Sequence, residues 1–421
     1  MAARTPSLSG FFDWSYVQPQ LVGKRMKRID GAVSTRLGKK KSLDTAWQLI
    51  FAGTVLLMAS ACSGSGPTGQ GDSIQQQLQN ALDEVFLAYD GKGISAAVIL
   101  PGEEIWLGTA QVEGAIPIIP DNIFWIASIT KMFTAAVTLQ LIEEGVLDFE
   151  DQLHQFLPSY TYVDSTITIR QLLNHTSGVA DFPNHPQFDE MIGEDKNRIW
   201  TPEEIVTRMF FEPYFAPGAG WRYSSGGYTL LGMVIEEVTG NLISEEYRTR
   251  IYEPLGLNNT FLDCQEPVTA EFASAWDYND EDELVEWTIE QAERYAQTSV
   301  AFSSGGLFST AEDVAIFTDA LFNRKSVLSQ EMLDEMLDFI VDLPPDFGWR
   351  GCGMGVSVFR LSMVNGAYAY GSGGWGAMFL SATAYLPEYH ATITILINSL
   401  NWGFWENAMY ALCQVVMEHS N

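Results

Sequence analysis

The chain has 421 residues, 47% of them hydrophobic and 12% aromatic, which is enough for a sizeable core in one large or two medium domains and excludes general disorder. Its formal net charge is −30, unevenly spread: the first 61 residues carry nine Lys/Arg against three acids, leaving 14 basic and 50 acidic residues for the remainder. So acidic a body repels phosphate and excludes nucleic acid as a partner, and no Cys/His grouping has zinc-ligand spacing, so neither a metal nor an organic cofactor is expected.

Residues 1–61 read as a signal region. Lys39-Lys40-Lys41 precede an apolar run over 46–61, too short for a comfortable membrane span, that ends in Ala59-Ser60-Ala61-Cys62. This resembles a bacterial lipoprotein signal with Cys62 as the lipidated residue, the alternatives being an uncleaved anchor or an ordinary secretory signal. The expected location is therefore outside the cytoplasm, with contact to the membrane through a lipid anchor only. Residues 62–72, rich in Gly and Ser, form a flexible tether. Cys264, Cys352 and Cys413 follow in the body, allowing at most one disulfide.

The body, 73–421, opens with an amphipathic helix in which Ile74, Leu78, Leu82, Phe86 and Leu87 recur at helical spacing. Two β-rich segments, 94–100 and 104–109, flank Pro101-Gly102 as a hairpin. A helix is predicted from Ser128 to Gly145. Further helices follow over 167–174, over 201–210 behind Thr201-Pro202-Glu203-Glu204, over 228–239 ended by Gly240, and over 311–322. Strand character returns at 355–361, 367–370, 378–385 and 391–398, before a closing helix after Trp405. The fold class is α+β: a mainly antiparallel sheet flanked by helices (about 73–127 and 300–421), with an inserted, mainly helical subdomain (about 128–299).

Ser128 and Lys131, three apart at the start of a helix-periodic run, lie on one face of the first turn. A serine hydroxyl needs a base to become a nucleophile, and a buried lysine can be that base because desolvation lowers its pKa. Beyond Cys62 the chain has four lysines, Lys92, Lys131, Lys196 and Lys325, and of these Lys131 alone has a serine three positions before it. Tyr223, in the glycine- and serine-rich stretch 221–228, is suited to pass a proton to a leaving group. In Tyr370-Gly371-Ser372-Gly373-Gly374-Trp375-Gly376, glycines allow close approach of a substrate, and a strand N–H can join the N–H of Ser128 in an oxyanion hole. Among the five histidines His175 reads as structural, and no Gly-x-Ser-x-Gly elbow frames Ser128, which disfavours a Ser-His-Asp triad.

Together these stations resemble the serine β-lactamase-like family, which includes class C β-lactamases, D-alanyl-D-alanine carboxypeptidases and related esterases. Ser128-Ile129-Thr130-Lys131 matches its Ser-x-x-Lys motif, and Tyr223-Ser224-Ser225 stands where Tyr-x-Asn belongs. Residues 172–178 (Leu-Leu-Asn-His-Thr-Ser-Gly), 254–257 and 304–307 are similar to family landmarks. Two positions depart. Ser225 replaces the asparagine, and the third motif, normally a cation before a small residue and glycine, is Ser372-Gly373-Gly374, or Gly371-Ser372-Gly373 one residue earlier. The missing cation argues against strong β-lactamase or carboxypeptidase activity; Arg222 or Arg350 is a candidate substitute.

The resemblance implies acyl transfer on a small-molecule or peptide substrate with a scissile carbonyl: Ser128 as nucleophile, Lys131 as base, Tyr223 as relay, with Ser225, Ser372, Gly373, Gly374 and Trp375 lining the substrate and oxyanion site. The alternative is a surface-anchored binding protein that retains the fold without turnover.

Overall fold

The computed structural model describes residues 72–279, 281, 283–289, 294–338, 349–355, 357–361 and 367–420. The signal region, Cys62 and the tether up to residue 71 lie outside the described residues.

Helix α1 (Ile74–Ala88) leads into the hairpin β1 (Gly93–Ile99) and β2 (Trp106–Gln111). The short strand β3 (Phe124–Trp125) then enters a 3-10 turn, Ala127–Ile129, continued by α2 (Thr130–Glu143). The helical region holds α3 (Ile169–Leu173), α4 (Phe188–Glu194), α5 (Pro202–Met209), α6 (Ser225–Thr239) and α7 (Ile243–Tyr247). After it come β4 (Phe261–Leu262), the hairpin β5 (Ala275–Tyr278) and β6 (Leu284–Trp287), α8 (Tyr295–Gly305), β7 (Leu307–Ser309), α9 (Ala311–Phe322) and α10 (Gln330–Met336). The chain closes with β8 (Trp349–Cys352), β9 (Ser357–Leu361), β10 (Ala367–Trp375), β11 (Leu380–Leu386), β12 (Ala391–Ile397) and α11 (Trp402–His419).

Seven strands form one antiparallel sheet in the order β2-β1-β12-β11-β10-β9-β8. The first hairpin is thus completed by the last strand, Ile94 pairing with Ile397. Side chains alternate across the sheet. Ile94, Ala96 and Val98 join Ile393, Ile395 and Ile397 under α1 and α11, while Thr392, Thr394 and Leu396 turn to the other face. There α9 packs against β1, β11 and β12. Its Thr318 shares a buried hydroxyl chain with Thr383 and Thr394, at 2.8 Å per step, so these polar side chains are satisfied without water.

In α1 the buried stripe is Ile74, Leu78, Leu82 and Val85. Leu87 is 80% exposed, contrary to the sequence reading, because two residues past Val85 is about 200° around the helix. Leu82→Ala is expected to cost about 3 kcal/mol of stability by leaving a cavity beneath α1, without slowing the chemistry. Denaturant unfolding beside an activity assay checks both halves.

The helix predicted over 311–322 has those bounds, and Thr201 and Glu204 close a reciprocal capping box at the start of α5. Helix α6 starts three residues earlier than periodicity suggested, because Ser224 caps it by accepting the Gly227 N–H at 3.2 Å. The glycine-rich stretch expected ahead of a strand is itself strand, the second half of β10. No disulfide joins Cys264, Cys352 or Cys413. Among the described residues, no helix is long and apolar enough to cross a membrane.

Candidate active site

Strand β3 delivers the chain into a tight corner. Ala127 has φ +45°, in the left-handed region that a residue with a Cβ enters at a cost of about 1 kcal/mol or more. The surroundings hold it there. The Ile126 N–H donates to the Leu307 carbonyl at 3.0 Å, the Ser381 hydroxyl donates to the Ile126 carbonyl at 2.8 Å, and the Leu307 N–H donates to Thr130 Oγ1 at 3.1 Å. The corner leaves Ser128 half-buried one turn before Lys131, at the mouth of α2.

Lys131 is 2% exposed, yet its amine lies within reach of three oxygens: Ser304 O at 2.6 Å, Ser128 Oγ at 3.3 Å and Ser225 Oγ at 3.5 Å. Burial pushes its pKa down to about 7, opposed by the charges of Asp181 and Cys352. A neutral amine has two N–H groups and one lone pair. If Ser304 and Ser225 accept the two N–H groups, the lone pair is left for the Ser128 proton.

The Tyr223 hydroxyl donates to Ser128 Oγ at 2.9 Å, and the amine sits 4.8 Å over its ring. Burial raises the Tyr223 pKa far above the phenol range, so the hydroxyl keeps its proton at neutral pH and is placed as a donor, which leaves the Lys131 amine as the group able to take a proton. His175 lies tilted against the Tyr223 ring with centroids 4.7 Å apart, and its Nδ1 accepts the Ser224 N–H at 3.3 Å, which fixes the tyrosine loop. Burial, with Lys131 beside it, lowers the His175 pKa to about 3, so the ring stays neutral in this range.

Sequence reasoning missed Asp181. It is 2% exposed and its Oδ1 accepts the Ser225 N–H at 2.7 Å. The signal was a lone carboxylate in Val179-Ala180-Asp181-Phe182, an otherwise apolar run just after the Asn174–Gly178 landmark. The Ser304 carbonyl was also missed, since backbone acceptors leave no trace in composition.

Strand β10 closes the site against the Ser128 turn. A Cβ on Gly374 would meet the Ile126 carbonyl at 2.1 Å, so only glycine allows this approach. The Gly376 N–H bonds to Phe379 O at 3.0 Å across the hairpin. By alternation, the next pair, Trp375 with Leu380, is of the non-hydrogen-bonded type, which turns the Trp375 N–H away from β11. On that side β9 pairs with β10 as far as Gly371, opposite Ser357. The Trp375 ring packs towards Trp402, with centroids 6.0 Å apart.

The structure therefore gathers Ser128, Tyr223 and Ser225 around the Lys131 amine. It places Ser372, in strand alternation, on the same face of β10 as Gly374, with Gly373 and Trp375 on the other. The Ser372 hydroxyl donates to the Gly373 carbonyl at 3.5 Å. Arg222 lies on the Tyr214 ring at 3.8 Å. The Arg350 side chain lies outside the described residues.

The model of the Beta-lactamase family matches residues 74–413. A penicillin-binding protein of Bacillus subtilis (strain 168) is 26% identical over 328 residues, 74% of this chain and 68% of that protein. Among solved structures, a D-stereospecific amidohydrolase from Streptomyces is 29% identical, with a TM-score of 0.67 over 80% of this chain and 97% of that one. The D-amino acid amidase of Ochrobactrum anthropi SV3, solved with L-phenylalanine amide, is 26% identical, with a TM-score of 0.73 over 83% and 100%.

Proposed function

Because the chain belongs to the β-lactamase family of serine hydrolases, we propose that it cleaves esters and amides by acyl transfer through Ser128. The observation that carries this reading is the placement of Ser128 Oγ between the Lys131 amine at 3.3 Å and the Tyr223 hydroxyl at 2.9 Å. The Ser128 proton passes to Lys131 as Oγ bonds to the carbonyl carbon. The oxyanion is held by the N–H groups of Ser128 and Trp375. As the tetrahedral centre collapses, Tyr223 gives its proton to the leaving group and recovers one from the Lys131 ammonium. Water, deprotonated by the same amine, then releases the acyl group.

The absent cation at Ser372 and the acidic body both disfavour substrates with a free carboxylate. Neutral esters and amides are the expected substrate class. Hydrolysis of p-nitrophenyl esters and amino acid amides should therefore exceed that of nitrocefin and D-alanyl peptides. Labelling by a fluorophosphonate should vanish in Ser128→Ala; undiminished labelling of that variant removes the nucleophile. The comparisons give the binding-only reading no support.

Export and lipidation at Cys62 complete the proposal. In a bacterial host Cys62→Ser is expected to shift the protein from the membrane to the soluble fraction, and an unchanged membrane fraction would discard the anchor.

A further inference from the structure

Helix α8 is broken near its end. Phe302 sits inside it at φ +39° and ψ −132°, a conformation that a residue with a Cβ holds only when its surroundings impose it. Beyond the break, the carbonyls of three successive residues accept from side chains of other elements: Ser303 O from Thr134 Oγ1 at 2.6 Å, Ser304 O from Lys131 Nζ at 2.6 Å and Gly305 O from Trp125 Nε1 at 2.5 Å. The last carbonyls of a helix need such partners. Two of the three donors stand one turn apart on α2, so the kink is docked on the helix that carries the amine. On its other side α6 comes close enough that a Cβ on Gly232 would stand 2.2 Å from Ser303 Oγ, and the Ser303 hydroxyl donates to the Tyr228 carbonyl at 2.8 Å.

Thr134 has one hydroxyl proton and three oxygens in reach, the Ser303 carbonyl and the Tyr247 hydroxyl at 2.6 Å and the Thr130 carbonyl at 3.2 Å. Tyr247 is fully buried and keeps its own proton, which it donates to Thr134 Oγ1; the threonine proton then goes to the nearer carbonyl, that of Ser303. The chain Tyr247 to Thr134 to Ser303 is complete without water.

We propose that Thr134 is a positioning residue of the site: by holding the Ser303 carbonyl it fixes the kink at Phe302, and with it the adjoining Ser304 carbonyl against the Lys131 amine. The inference rests on the reading of Lys131 as the base. The two carbonyls belong to successive peptide planes joined at the Ser304 Cα, so displacing one swings the other. With Ser304 O accepting one N–H, the amine is held with its lone pair free to face Ser128 Oγ; with that carbonyl displaced, the amine turns away from the line of proton transfer.

The test is the pH dependence of fluorophosphonate labelling per titrated site in the full chain, for wild type, Thr134→Val, Thr134→Ala and Thr134→Ser. Valine keeps the volume and removes the hydroxyl; its plateau rate should fall about tenfold. A carbonyl accepting from the amine favours the ammonium, so loosening that contact should also move the acidic limb about half a unit to lower pH. The groups that face the amine, Tyr223, Tyr228, His175, Asp181 and Cys352, are unchanged in these variants, and the hydrogen bonds of Thr134 go to Thr130, Tyr247 and Ser303 instead. Around Thr134 itself Tyr247, with Glu236 acting on it, is also kept. Serine retains the hydroxyl and should return both rate and limb to wild type, even where the lost methyl lowers stability.

A wild-type rate in Thr134→Val overturns the proposal. So does a lowered rate with an unmoved limb, which would place the effect away from the Lys131 contact, or a serine variant no better than valine. If the valine variant fails to fold, Thr134→Ala is read by the same criteria. A limb that survives in Lys131→Met marks a different failure, that of the base itself, and removes the proposal with it.

Discussion

Lys131→Met is expected to slow acylation of Ser128 by about a thousandfold while making the protein more stable. The rate term follows from removing the general base, which contributes about 10²- to 10⁴-fold when it is held in line with the proton it takes. The amine is so held, 3.3 Å from Ser128 Oγ, and the alternatives around it are unsuited: His175 is too weakly basic and Tyr223 holds its proton. In the wild type, acylation should rise with pH through about 7, as the ammonium gives way to the amine, and level off above it. In the methionine variant that limb should be absent.

The stability term has the opposite sign. The folded pKa of Lys131, about 7, lies below its ordinary value of 10.5, so between these two pH values the unfolded chain binds more protons. The burial penalty is therefore full below pH 7 and fades as pH rises towards 10.5. Its size is on the order of 4 kcal/mol at neutral pH. Methionine fills a similar volume with no charge to desolvate, so the variant's Tm should rise at pH 7 and the difference should narrow at pH 10. A variant that loses both rate and Tm at pH 7 would mean that the amine supports the fold and is not held there against it.

How much of this was legible in the sequence depends on what kind of group carries each function. Ser128 and Lys131 announce themselves through residue type and spacing, because a hydroxyl and an amine one turn apart is a local fact, and Tyr223 stood out by the glycine- and serine-rich stretch around it. The terminal strands of the sheet were readable for a similar reason: runs such as Ala391–Ile397 keep strand composition whatever their partners. What escaped is non-local. Asp181 meets Ser225 across 44 positions, and the Ser304 carbonyl meets Lys131 across 173. Neither has a periodicity that points to the other. The small sheet of β3, β7 and β4 was missed because strands of two or three residues fall below any alternation signal, although it fixes the corner at Ala127.

Gly374→Ala is the second large effect, and it tests the half of the site that residue chemistry does not reveal. The new Cβ would stand 2.1 Å from the Ile126 carbonyl and 2.4 Å from Ser381 Oγ. The serine can rotate, but the carbonyl cannot easily retreat, since the Ile126 N–H is tied to β7. Strand β10 must therefore lift from the Ser128 turn and take the Trp375 N–H with it. Losing one oxyanion donor slows acyl transfer about 10²- to 10³-fold, and the overpacking costs about 1–3 kcal/mol of stability. Gly193→Ala is the matched control: in α4, with open space around its new Cβ, it should leave the rate unchanged and gain a few tenths of a kcal/mol or more in stability. The decisive readout is the ratio of effects, because a fold defect alone lowers the amount of active protein without changing the rate per labelled site. Active-site titration before the rate measurement separates the two. A Gly374→Ala protein whose titrated sites turn over at the wild-type rate would show that the strand's backbone lies outside the reaction, and the oxyanion would need another donor.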